Sequence, residues 1–218
     1  MREQPDPTAA AAIWSELYES YPALGSCAPA IRQAWDLLRT VLHDGHSVLV
    51  CGNGGSAADS EHIAAELAKP CARRRPLPAP LTEALRAAGD DGYLADGLQG
   101  GWPVLPLTSQ AALVTAIAND QGADFVFAQQ VIAYGRPGDL LWALTTSGSS
   151  TNVIHALRTA RALGLHTMAF TGPRGRLAAA LCDALVELPG ATTSSIQQSH
   201  LPVYHAFCLA IEAESYAP

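Results

Sequence analysis

The sequence predicts an α/β fold: a doubly wound, five-stranded parallel sheet sandwiched by helices, with long helices at both ends of the chain. Three observations carry this. Five short apolar runs alternate with helical patterns, the rhythm that builds parallel sheets. Four of these runs show little polar alternation, as strands covered on both faces require. Hydrophobic residues make up 49% of the 218 positions and charged residues 15%, which suits one well-buried core. Residues 1–218 are therefore expected to form a single domain, with N-terminal helices over 8–45 and an inserted loop over 70–102.

The strands read as 47–51 (SVLVC), 103–107 (PVLPL), 140–144 (LLWAL), 166–170 (HTMAF) and 184–188 (ALVEL). The two prolines of the second run place it at a sheet edge or a strand end. Before the first strand, Ile31, Trp35, Leu38 and Val41–Leu42 recur at helical spacing, and Gly45 ends the pattern. Further helices are expected near 56–69, 109–118, 123–135, 150–163 and 194–215. Pro202 lies inside the last of these, where a kink is expected. Segment 70–102 is rich in Pro, Gly, Ala and Arg and too long for an ordinary strand–helix connection. Short helices near 81–88 and 92–98 are expected within it.

Composition removes some function classes. A net charge of -7 argues against a nucleic-acid binder, which usually presents a basic face. No run approaches the roughly 18 apolar residues of a membrane span, and the N-terminus lacks a signal-peptide core. Five scattered cysteines with no C-x-x-C spacing suit reduced thiols better than a disulfide framework. A soluble, cytoplasmic protein is expected.

Two polar loops follow strands, where ligands of such folds collect. The first, after strand one, reads CGNGGSAADSEH. Gly52, Gly54 and Ala57 satisfy G-x-G-x-x-A, but the acidic residue a dinucleotide site wants about 20 positions on is missing. No Gly-Lys-Ser/Thr follows, so it is not a P-loop either. Two readings stay open: a tight turn packing strand on helix, or a small-residue approach to an anion with Ser56 as helix cap. The second loop follows strand three. Six of the seven residues Thr145–Thr151 carry hydroxyls, more than one helix cap needs, which favours a phosphate cradle. His62 and Glu66 share a helix face at i, i+4, and the C-terminal helix offers Gln197, His200 and His205. Spacing alone leaves these as either surface residues or a site. Arg73–Arg75 are open to both a phosphate contact and a solvated loop.

The stretches CGNGGSAADSEHIAAEL, AIANDQGADFVFAQQV, TTSGSSTNVIHALRTARALGL and SIQQSHLPVYHAFCLAIEAE resemble the sugar isomerase (SIS) domain family, and within it the phosphoheptose isomerases. The resemblance implies a SIS fold and a homotetramer with active sites at subunit interfaces. It implies conversion of sedoheptulose 7-phosphate to D-glycero-D-manno-heptose 7-phosphate, in heptose biosynthesis. By motif it assigns substrate binding to Asn53, Gly54, Gly55, Asn119, Asp120, Thr145, Thr146, Ser147, Ser150 and Gln197. It assigns catalysis to Glu66 and His205, and a zinc ion to His62, Glu66, Gln197 and His205. Such an isomerisation needs a base beside the carbonyl and an acid at its oxygen; Glu66 suits the first and His205 the second. Other members of the family are non-catalytic, binding a replication initiator or sensing a phosphosugar. The presence of both Glu66 and His205 favours the enzyme.

Overall fold

A computed structural model describes residues 7–216. Helix α1 (Pro7–Ser20), a 3-10 turn at Pro22–Cys27 and α2 (Ala28–His43) lead into β1 (Val48–Gly52) and α3 (Gly55–Ala68). The inserted segment carries α4 (Ala79–Ala87) and α5 (Tyr93–Gly97), and β2 (Val104–Pro106) follows. Then come α6 (Ala111–Asp120), a 3-10 turn at Ala123–Phe125, α7 (Ala128–Tyr134), β3 (Leu140–Thr145) and α8 (Thr151–Ala162). The chain closes with β4 (His166–Thr171), α9 (Arg176–Ala179), β5 (Ala184–Glu187) and α10 (Thr193–Ser215).

The five strands form one sheet in the order β2-β1-β3-β4-β5, every pair parallel. The proline-bearing strand β2 is an edge, as its sequence predicts, because an edge strand need not donate both ways. All residues of β1 and β3 are buried. Their alternation divides the core: Val48, Val50, Leu140 and Trp142 pack with α1, α2, α3 and α10. Leu49, Cys51, Leu141 and Ala143 pack with α6, α7 and α8. On α2, Ile31, Trp35, Leu38 and Leu42 all turn inward, each worth about 1.5–3 kcal/mol of burial.

One detail departs from expectation. The helix expected over 123–135 is a 3-10 turn followed by the shorter α7. Helix α10 continues through Pro202 as one 23-residue element, with the proline itself buried. Packing on the sheet offsets the lost hydrogen bond.

The inserted segment is held at its root. Arg75 is fully buried, with its Nε 2.7 Å from Glu212 Oε1 on α10 and its guanidinium over the Trp102 ring. Arg75 also donates to the carbonyls of Leu67 and Glu66 at the end of α3. Glu212 accepts in addition the backbone N–H groups of Cys71, Ala72 and Arg73. Arg73 bonds the carbonyl of Tyr216 and Arg74 that of Asp96. Arg73 and Arg75 therefore knit the insertion to the domain, while Arg74 is exposed and bonds only within the insertion. Gly100 N–H donates to Arg75 C=O (2.7 Å) and Trp102 N–H to Leu67 C=O (3.1 Å), which closes the base of the segment.

Candidate active site

Strand order reverses between β1 and β3, the switch point where sheets of this kind bind ligands. Both polar loops sit there. The first turn needs its glycines for separate reasons. Gly54 adopts φ 58°, ψ -120°, a region L side chains rarely enter. A Cβ on Gly52 would lie 2.7 Å from Ser56 Cβ, and one on Gly55 would lie 2.6 Å from Gln197 Nε2. Gly54, not Ser56, occupies the N-cap of α3. Ser56 is buried and faces the ligand cleft instead.

Asn53 carries the turn across the switch point. Its carboxamide and that of Asn152 on α8 exchange two hydrogen bonds, each 2.9 Å. Asn152 also accepts from Val153 N–H. The sequence gives no signal for this pairing, because the partners are 99 positions apart.

A cleft of about 80 Å³ lies between the loops, lined by Asn53, Ser56, Leu144, Thr145, Thr146, Ser150, Thr193 and Gln197. Ser150 caps α8 without any side-chain hydrogen bond, so its hydroxyl is not consumed by capping. Thr145 Oγ1 is buried with no partner. A buried hydroxyl without a partner costs free energy, and a ligand oxygen beside the N–H groups of α8 would remove that cost. Ser147 Oγ accepts from Ser149 N–H. Thr193, at the start of α10, joins this wall; its place in the fold, not a local motif, puts it there. A larger groove of about 410 Å³, lined by Trp14, Tyr18 and Arg32 among others, holds no acid–base cluster.

The ionisable residues of α3 and α10 converge. His62 Nε2 lies 3.4 Å from His205 Nε2 and 3.5 Å from Glu66 Oε1. His62 Nδ1 lies 3.0 Å from the hydroxyl of the buried Tyr204, which is 3.4 Å from Asp59 Oδ1. Burial alone would raise the Glu66 carboxyl. A Cys71 thiol hydrogen bond and the neighbouring Lys69, His62 and His205 outweigh it, holding the acid below its ordinary range. Burial, reinforced by His62, lowers His205. An ionised carboxylate beside a neutral imidazole is a base poised next to a hydrogen-bond donor. Burial and Glu66 push the Cys71 thiol up to about 12.

No three or more His, Cys, Asp or Glu side chains among the described residues already stand as a metal cage. His62, Glu66 and His205 are the trio to weigh against zinc. Bonds of about 2.0–2.1 Å in a tetrahedral zinc site put donor atoms roughly 3.3–3.4 Å apart. The two contacts of His62 Nε2, 3.4 and 3.5 Å, lie close to that edge length. The donor types fit zinc. Gln197 sits in the hydroxyl cleft, against Gly55. Asn119 and Asp120 are exposed at the end of α6, hydrogen-bonded to each other and outside the cleft lining of this single chain.

No helix of the described residues is long and apolar enough to cross a membrane. The SIS domain family matches residues 22–96 and 98–172. The phosphoheptose isomerase of Rhodospirillum rubrum is 40% identical over 189 residues, spanning 87% of this chain and 88% of its own. That of Synechocystis sp. is 37% identical, spanning 86% and 84%. The solved phosphoheptose isomerase of Neisseria gonorrhoeae superposes with a TM-score of 0.71 at 33% identity, over 93% of this chain and 96% of that one. By sequence, fold and relatives, then, this chain belongs to the SIS domain family, alongside its phosphoheptose isomerases, and is a sugar phosphate isomerase.

Proposed function

We propose that the protein converts sedoheptulose 7-phosphate to D-glycero-D-manno-heptose 7-phosphate, with Glu66 as base and His205 as acid. The convergence of His62, Glu66 and His205 beside a hydroxyl-lined cleft carries the proposal. The substrate phosphate sits on Thr145, Thr146, Ser147 and Ser150, where α8 presents its N-terminus. Asn53, Gly54, Gly55 and Gln197 face the sugar, and Asn119 and Asp120 complete its site. Glu66 removes a proton from C1 while His205, neutral at the outset, donates its ring N–H to O2. The resulting enediol returns the proton from Glu66 to C2, and the O1 proton passes to His205. The aldose leaves with both residues in their starting states. A zinc ion on His62, Glu66, Gln197 and His205 would supply polarisation of the substrate carbonyl.

The chain acts as a homotetramer with interface-built sites in the cytoplasm. That Asn119 and Asp120 do not line the cleft of their own chain supports this, as does the exposure of Tyr93 (82%) and Leu98 (51%) on the insertion. The five free cysteines suit a reducing compartment. Purified protein supplied with zinc should interconvert the two heptose phosphates, and Glu66→Gln should abolish turnover with the fold intact. Metal-loaded wild-type protein that leaves every ketose phosphate unchanged would refute the proposal.

A further inference from the structure

We propose that Tyr204 and Asp59 are positioning residues that fix the tautomer of His62, leaving its Nε2 bare toward Glu66 and His205. This rests on the reading of that trio as the reacting centre. The logic is a count of protons. The Tyr204 hydroxyl touches two groups, His62 Nδ1 at 3.0 Å and Asp59 Oδ1 at 3.4 Å. It has one hydrogen to give. A carboxylate only accepts, so the hydroxyl gives its hydrogen to Asp59, and the phenol oxygen is left as an acceptor. His62 Nδ1 must then carry the hydrogen that meets it. A neutral imidazole holds one N–H, so Nε2 keeps its lone pair.

The surroundings hold this arrangement in place. Asp59 and His62 lie one turn apart on α3, and Tyr204 precedes His205 on α10. The Asp59 side chain is only 19% exposed, and its other oxygen is backed at 3.8 Å by Nδ1 of the fully enclosed His200. Neither ring nitrogen of His200 has a hydrogen-bond partner, and the Asp59 contact at 3.8 Å is a close polar approach, longer than a hydrogen bond. The reverse arrangement, phenol donating to His62, would cost Asp59 its Tyr204 donor in a largely enclosed place. It would also take the lone pair from the one atom that faces both Glu66 and His205. With Nε2 bare, its lone pair lies 3.4 Å from His205 Nε2 and 3.5 Å from the Glu66 carboxylate, free to accept a proton or a cation. The same buried partner keeps the imidazole from rotating, as outer partners of metal-binding histidines do.

Nitrogen NMR of the metal-free protein, above the imidazole titration range, reads the tautomer directly. His62 should be protonated at Nδ1, opposite to the preference of free histidine. Tyr204→Phe and Asp59→Asn should each shift it toward Nε2–H. Both should weaken zinc binding in a chelator competition by about 10–100-fold with the circular dichroism unchanged. Should Tyr204→Phe fail to fold, Asp59→Asn carries the same readout from a less buried position. A wild-type His62 protonated at Nε2, or a tautomer unmoved by either variant, would overturn the inference. The readout needs neither substrate nor metal, so an enzyme inert on heptose phosphates would refute the proposed function and not this one.

Discussion

Glu212→Gln isolates what the buried ion pair contributes. The replacement keeps shape and volume but turns one of two accepting oxygens into a donor. Oε1 accepts from Arg75 Nε and Cys71 N–H; Oε2 accepts from Ala72 and Arg73 N–H. Whichever oxygen is lost, two donors face an amide NH2, and the enclosed guanidinium loses its counter-charge. Breaking one side of such a pair costs about 3–5 kcal/mol. In a domain of this size that lowers the melting temperature by roughly 6–20 °C. Urea unfolding gives the free energy and calorimetry the midpoint. The root also holds Cys71, whose thiol hydrogen-bonds Glu66, so turnover should fall with stability. An Arg75→Met, Glu212→Leu double variant removes both charges and should recover most of the loss. A Glu212→Gln change below about 1 kcal/mol would refute the reasoning.

Three further outcomes follow from the geometry. Gly55→Ala places a methyl 2.6 Å from Gln197 Nε2; a flexible side-chain end can move, so KM should rise several-fold while the melting temperature stays within a few degrees. In metal-free protein the unfolded chain binds the His205 proton before the native state does, because native His205 is lowered. Stability should therefore fall as pH drops through about 6.5, and His205→Gln should flatten that slope in acid titrations followed by fluorescence. Cys71, with its thiol pushed up to about 12, should resist iodoacetamide at neutral pH until the chain unfolds, as peptide mapping would show.

Much of the fold is legible from local pattern. Strands buried on both faces announce themselves as unbroken apolar runs, and Pro103 and Pro106 mark β2 as a sheet edge or a strand end before any pairing is known. The hydroxyl loop likewise shows more acceptors and donors than a helix cap consumes. What resists reading are pairings across long sequence separations. Three consecutive arginines look alike on paper; only Glu212, 137 positions away, makes one of them a core residue. Asn152 and Tyr204 read as ordinary helix positions until α8 faces the β1 turn and α10 faces α3. Ser56 reads as a cap because serine favours caps, but the turn needs a positive φ there and Gly54 takes the place.

The closed base of the insertion has a consequence for how this chain can change. Arg75 and Gly100 are joined by a backbone hydrogen bond of 2.7 Å, and Arg75 N–H also binds the side chain of Gln99. Everything between these points leaves and returns at one spot on the surface. The ends need no support from α4 or α5, since Glu212, Leu67 and Trp102 already hold them. The cost of closing a connection grows only slowly with its length. Within one chain, the segment from Pro76 to Leu98 can therefore be shortened or exchanged as a cassette with the helix that bears His62 and Glu66 left in register, and any loss would fall on assembly through Tyr93 and Leu98.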